Sequence, residues 1–184
     1  MKKIVYTQRV EIIESYKERR DCADQRIAEF IYQCGCVPIP VPNIDEVVKE
    51  IVQNVNPRGI ILTGGNSLCA YGGNAPERDS IDNLLIQYAI DNNIPLYGFC
   101  RGMQSILHYF GNKLINVENH VAVRHTIEGT IGRQEVNSYH NQACIEIEEN
   151  NELEIIAKAE DGVIEGVKHK TLPIMGTMWH PERE

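Results

Sequence analysis

The sequence predicts an α/β fold, a doubly wound and mostly parallel sheet flanked by helices, with a small β-rich segment added late. Three observations point there. Through the first two-thirds of the chain, short β-prone runs alternate with amphipathic stretches of helical spacing. Gly59-Ile60-Ile61-Leu62-Thr63 is almost continuously apolar, as a parallel strand covered on both faces must be. Gly98-Phe99-Cys100-Arg101-Gly102 joins a short apolar run to a segment with Met103, Ile106, Leu107 and Phe110 at helical spacing, which reads as strand, sharp turn, helix.

In order, Lys3–Thr7 is expected as a first strand, with Gln8 and Arg9 at its carboxyl end, where ligands collect in open α/β sheets. Residues 11–21 read as a charged connection holding Tyr16, Arg19, Arg20 and Asp21, and Cys22–Gln33 as a helix with Ile27, Phe30 and Ile31 on one side. The alternating prolines of Cys36–Pro42 suit an edge strand. Asn43 or Asp45 is placed to cap a helix running to about Val52. The strand Gly59–Thr63 ends in Gly64-Gly65-Asn66, where two glycines let backbone N–H groups approach a ligand as an oxyanion hole requires. A loop over Tyr71–Pro76 and a helix carrying Ile81, Leu84, Leu85, Tyr88 and Ala89 lead to the Cys100 turn. After Gly111 the chain turns β-rich. Val136–Gln142 is more polar than a core strand needs, Ile145–Ile156 reads as an acidic solvated face, and Gly162–Val167 and Ile174–Trp179 read as two late strands.

Composition bounds the function. The 184 residues suffice for one core, so a single domain over 1–184 is expected. A net charge of −8 argues against a nucleic-acid surface while leaving room for a small anion held by local arginines. No apolar run reaches membrane-spanning length and the opening residues lack a secretion signal, so a cytoplasmic protein is expected. The six cysteines are expected as reduced thiols, and Cys34-Gly35-Cys36 has the wrong spacing for zinc, so neither a metal nor a cofactor is expected. A homo-oligomer is left open.

The candidate chemistry centres on Cys100. A thiol on a strained turn before a helix N-terminus is held out toward substrate and favoured as thiolate. It needs a base and a group to orient that base. His180 and Glu182, two apart in an extended segment, can face one pocket together. His108 reads as structural, and His169, between Lys168 and Lys170, as part of a turn.

Four blocks carry a resemblance: Ile61-Leu62-Thr63-Gly64-Gly65-Asn66, Gly98–Gln104, Asn137–Ala143 and Trp179-His180-Pro181-Glu182. Together they resemble the class I glutamine amidotransferase-like superfamily, whose fold is flavodoxin-like, and within it the γ-glutamyl hydrolase branch. The resemblance implies that Cys100 attacks a γ-glutamyl amide through a thioester, with His180 as base then acid and Glu182 orienting it. It also implies an oxyanion hole of the Gly65 and Arg101 N–H groups, and Gln104, Ser138 and Tyr139 holding the glutamyl ends, with His140 close by. Asn66 stands where hydrolases of γ-glutamyl-γ-aminobutyrate commonly carry an acidic residue. Thr7-Gln8-Arg9, Glu18-Arg19-Arg20-Asp21, Glu118-Asn119-His120 and the final Met178–Glu184 are instead similar to γ-glutamyl-CDP-amidate hydrolases of capsule phosphoramidate biosynthesis. That implies a small-molecule substrate with an anionic leaving group, for which Arg9, Arg19, Arg20 and Arg101 are available. The alternatives are a glutaminase subunit with a synthetase partner, a γ-glutamyl-γ-aminobutyrate-type hydrolase, and a non-catalytic redox-sensing α/β protein.

Overall fold

The computed structural model describes residues 1–184. Strand β1 (Lys2–Tyr6) leads into a hairpin, β2 (Arg9–Ile13) and β3 (Glu18–Cys22), followed by α1 (Gln25–Gln33), β4 (Cys36–Pro40), α2 (Asp45–Val55) and β5 (Gly59–Leu62). Helix α3 (Pro76–Asn92), β6 (Leu96–Phe99) and α4 (Arg101–Tyr109) follow. The last third holds β7 (Ile115–Asn116), β8 (Val121–Gly129), β9 (Gly132–Tyr139), β10 (Gln142–Ala143), β11 (Leu153–Ala159), β12 (Ile164–His169) and β13 (Ile174–Thr177).

Nine strands form one sheet in the order β4-β1-β5-β6-β13-β12-β11-β8-β9. The first five are mutually parallel and the rest antiparallel. The late β-rich segment is therefore an extension of the main sheet. The chain reverses direction across the sheet at β1, sending β4 to one side and β5 to the other, and this opens a crevice at the carboxyl ends of β1 and β5. The main core, with Val5, Leu62, Leu85, Met103, Ile106 and Ile164 nearly inaccessible to solvent, packs α2, α3 and α4 onto one face of the sheet.

Two local expectations are corrected. Residues 11–21 are a β-hairpin, because charges pair within it: Glu11 stands opposite Arg20, and Arg20 lies 2.7 Å from Glu18. Cys22 thus closes β3, and α1 starts later, with the Asp24 carboxylate accepting from the Arg26 N–H at 3.0 Å. Neither Asn43 nor Asp45 caps α2. Asn43 donates to Gln8 O and to Asp21 Oδ1, tying the hairpin to β1, while Asp45 sits inside the first turn and accepts from Ser80 Oγ at 2.7 Å.

Candidate active site

Cys100 follows β6 with φ 51° and ψ −112°, a left-handed conformation that a non-glycine residue holds only when its surroundings fix it. They do so closely. The Cys100 N–H donates to Thr177 O on β13 at 2.8 Å, and a Cβ on Gly102 would lie 2.0 Å from Leu62 O, so only glycine lets α4 pack this tightly on β5.

Because β13 is the parallel neighbour of β6, with Thr177 opposite Phe99, the chain's last residues emerge beside the thiol. His180 Nδ1 donates to Glu182 Oε1 at 2.7 Å, and its ring shares the wall of one cavity with Cys100. The ring is held between Phe99 and Tyr139, with centroids 5.4 and 5.5 Å away. Burial pushes the His180 pKa down, but neighbouring Cys100 and Glu182 outweigh it and lift it to about 9. A Cβ on Gly64 would stand 2.8 Å from His180 Cε1, so glycine here leaves room for the base.

These groups border a cavity of about 210 Å³, also walled by Arg9, Cys22, Tyr139 and Arg183. Gly65 lies on it, and Arg101 supplies the first N–H of α4, which has no intrahelical acceptor. The Arg101 side chain points elsewhere. It is 1% exposed and is held by Asp79 at 2.5 Å and by Asp82, so it cannot serve an anionic leaving group. Tyr139 covers His180 and takes the Arg183 guanidinium on its ring face at 4.6 Å.

The other expected binding residues lie off the cavity. Gln104 Nε2 donates to Gln142 O at 2.8 Å, and Ser138 Oγ donates to His120 O at 2.7 Å. His140 packs against Glu165 in a separate cluster. Arg19 binds Glu77 and Asn74 O, Arg20 binds Glu18, and neither borders the cavity.

Two residues absent from that expected set are central. Arg78, fully buried in the first turn of α3, donates to Thr63 O at 2.7 Å and Gly64 O at 2.9 Å, with Asn66 Oδ1 at 3.3 Å. Fixing the Gly64 carbonyl fixes the same peptide's N–H, that of Gly65, in the opposite direction. Burial lowers Arg78 to about 9, partly offset by the Cys100 and Asp79 charges, so it remains a cation at neutral pH. Asn137 grips the backbone of His180 from both sides: its Nδ2 donates to His180 O at 2.8 Å and its Oδ1 accepts the His180 N–H at 2.9 Å. Asn66 does the same for the hairpin, donating to Val10 O and accepting the Val10 N–H, both at 2.8 Å. A carboxylate could not make both bonds.

Comparison with known proteins shows which family the chain belongs to. The chain is 34% identical over 185 residues to the gamma-glutamyl-CDP-amidate hydrolase of Campylobacter jejuni subsp. jejuni serotype O:2, covering 97% of this chain and 88% of that one. It is 29% identical to anthranilate synthase component 2 of Cyanophora paradoxa, covering 93% and 88%. Its fold matches the crystal structure of a glutamine amidotransferase from Thermotoga maritima with a TM-score of 0.73 at 15% identity, over 98% of this chain and 76% of that one. The model of the family described as glutamine amidotransferase class-I matches residues 12–184, and the chain belongs to that family.

Proposed function

We propose that this chain is a cysteine-dependent γ-glutamyl amide hydrolase working through a γ-glutamyl thioester. The observation that carries the reading is His180, held by Glu182 at 2.7 Å, on the wall of the same cavity as Cys100. His180 takes the Cys100 proton as base, and the surroundings that raise its pKa to about 9 favour the imidazolium that results. The Cys100 thiolate adds to the γ-carbonyl carbon, and the oxyanion that forms is met by the N–H groups of Gly65 and Arg101. The C–N bond breaks as the His180 imidazolium protonates the departing nitrogen. Water then adds to the thioester, neutral His180 takes its proton, the C–S bond breaks, and L-glutamate leaves. Glu182 holds the ring and stabilises its charged form throughout.

We assign γ-glutamyl-CDP-amidate as the preferred substrate, with cytidine diphosphoramidate as the second product. The relative of that name supports this, as do Arg9 and Arg183 bordering the cavity of a chain with net charge −8. Free glutamine has no anionic leaving group for them to meet. The likeness to an anthranilate synthase component favours a second reading, a glutaminase subunit feeding ammonia to a synthetase partner. Steady-state rates of the isolated chain on γ-glutamyl-CDP-amidate, γ-glutamyl-γ-aminobutyrate and glutamine separate these. The proposal expects the nucleotide substrate to be fastest, and comparable or faster glutamine turnover would overturn the substrate assignment.

A further inference from the structure

Away from the cavity, three imidazoles converge on one buried carboxylate. Glu165 on β12 is inaccessible to solvent, and His120 and His140, flanking β8 and β9, are 2% and 3% exposed. His140 Nε2 lies 3.1 Å from Glu165 Oε1, and His120 Nδ1 and His125 Nε2 each lie 3.4 Å from the same oxygen. None of these residues borders the cavity at Cys100.

The one hydrogen bond among them, between His140 Nε2 and Glu165 Oε1 at 3.1 Å, leaves the rest of the cluster unsatisfied. His120 Nε2 lies 2.8 Å from Asp161 Oδ2, and an ionised carboxylate only accepts, so Nε2 carries the proton. In a neutral ring Nδ1 then presents a lone pair toward Glu165 Oε1, itself an acceptor. Two facing acceptors in a buried site repel unless a positive group lies between them. His120 Nδ1, His125 Nε2 and Glu165 Oε2 are all buried without a partner.

The spacings point to what that group is. An N–H···O bond closes to about 2.9 Å. Ligands about 2.0–2.1 Å from a tetrahedral zinc ion are separated from one another by roughly 3.3–3.4 Å, close to the two 3.4 Å separations at Glu165 Oε1. The donor atoms of His120, His140 and Glu165 lie within 4.8 Å of one another. A carboxylate on the outer nitrogen of a ligating imidazole is also the usual orienting partner of a zinc-bound histidine.

We propose that His120, His140 and Glu165 form a structural site for one divalent transition-metal ion of the zinc class, with Asp161 orienting His120 and His125 packed beside Glu165. Two nitrogens and one oxygen suit such an ion better than magnesium or calcium. All three side chains are buried, and the site braces the fold. It ties the segment entering β8 and the end of β9 to β12, and the Glu165 carbonyl accepts the Met178 N–H at 2.8 Å, two residues before His180.

The test uses the full chain, stripped with a chelator and titrated with Zn²⁺ and with Co²⁺. One equivalent of Zn²⁺ should bind and raise the melting temperature, and Co²⁺ should give visible bands of a tetrahedral site without a sulfur charge-transfer band. Asp161→Asn, at a half-exposed position that tolerates change, should weaken Zn²⁺ binding about 10–100-fold. His140→Asn should abolish stoichiometric binding. Substoichiometric binding by the native chain would overturn the proposal, as would a thiolate signature from the surface cysteines. An NMR signal from a doubly protonated His120 in the stripped chain that persists with Zn²⁺ present would show that a proton fills the gap, and would overturn it too. Undiminished affinity in Asp161→Asn would overturn the ligand assignment even if His140→Asn failed to fold.

Discussion

On the floor of the cavity the polar groups are held in place: His180 by Glu182 and Asn137, and the Gly64 peptide by Arg78. On the rim, the β2–β3 hairpin is exposed, stands apart from the main sheet, and is anchored through Asn66 and Asn43. The difference teaches how the work divides. On the proposed function the pre-organised floor meets the glutamyl carbonyl, which suits any γ-glutamyl amide. The rim, on the same reading, meets what is attached to the nitrogen, and its charges can vary without disturbing the core.

The sharpest way to break this division is at the sulfur. Cys100→Ala should lower turnover by about a millionfold, as loss of a nucleophile does in hydrolases of this design. Binding of γ-glutamyl-CDP-amidate, measured by calorimetry, should stay near the native value because the rim is untouched. Wild-type activity in this variant would mean the nucleophile lies elsewhere.

Glu182→Gln should cost less, about 10⁴-fold in kcat. It should also reshape the pH profile. On the proposed mechanism the His180 imidazolium, whose pKa is raised to about 9, protonates the leaving nitrogen, so activity should be present below that value and lost as pH rises through it. Removing one of the two groups that raise it should move the descending limb toward the ordinary histidine range near 6.5. An unmoved limb would show that Glu182 does not set the charge on the base.

Arg78→Met should cost about 10²–10³-fold in kcat with little change in KM, because it leaves the Gly65 N–H free to turn away from the developing oxyanion. Thermal melting of the variant checks that α3 still packs. Arg78→Lys should recover little, since an ammonium cannot span Thr63 O, Gly64 O and Asn66 together.

Arg78 also marks where the sequence stopped being legible. The parallel half could be read because its strands are apolar runs and its turns carry glycine, and the candidate site at Cys100 and His180 because both sit on recognisable blocks. In sequence, Pro76-Glu77-Arg78-Asp79 looks like the solvated start of a helix. The overlooked signal is electrostatic: a cation in the first turn opposes the helix dipole and requires a compensating partner, here the carbonyls of the Gly64 turn. Asn137 was hidden in a polar stretch where any residue might face solvent. The hairpin was hidden because charge pairing across strands, and not apolar alternation, makes it. The histidines of the antiparallel half are far apart in sequence and meet only through the register of β8, β9 and β12.

The smallest expected effects test the rim. Of the arginines offered by the sequence, Arg9 borders the cavity, with its Nε donating to Cys22 Sγ at 3.3 Å, whereas Arg20 is half-exposed and engaged with Glu18. Arg9→Ala should therefore raise KM for γ-glutamyl-CDP-amidate about tenfold, consistent with one charge-assisted hydrogen bond lost. It should leave KM for glutamine unchanged, since the glutamyl group contacts only the floor. Arg20→Ala should change neither by more than about twofold, as expected for a solvent-exposed ion pair. Equal losses on both substrates for Arg9→Ala would mean that the hairpin shapes the floor, and the separation between the two regions would fail at the point where Asn66 joins them.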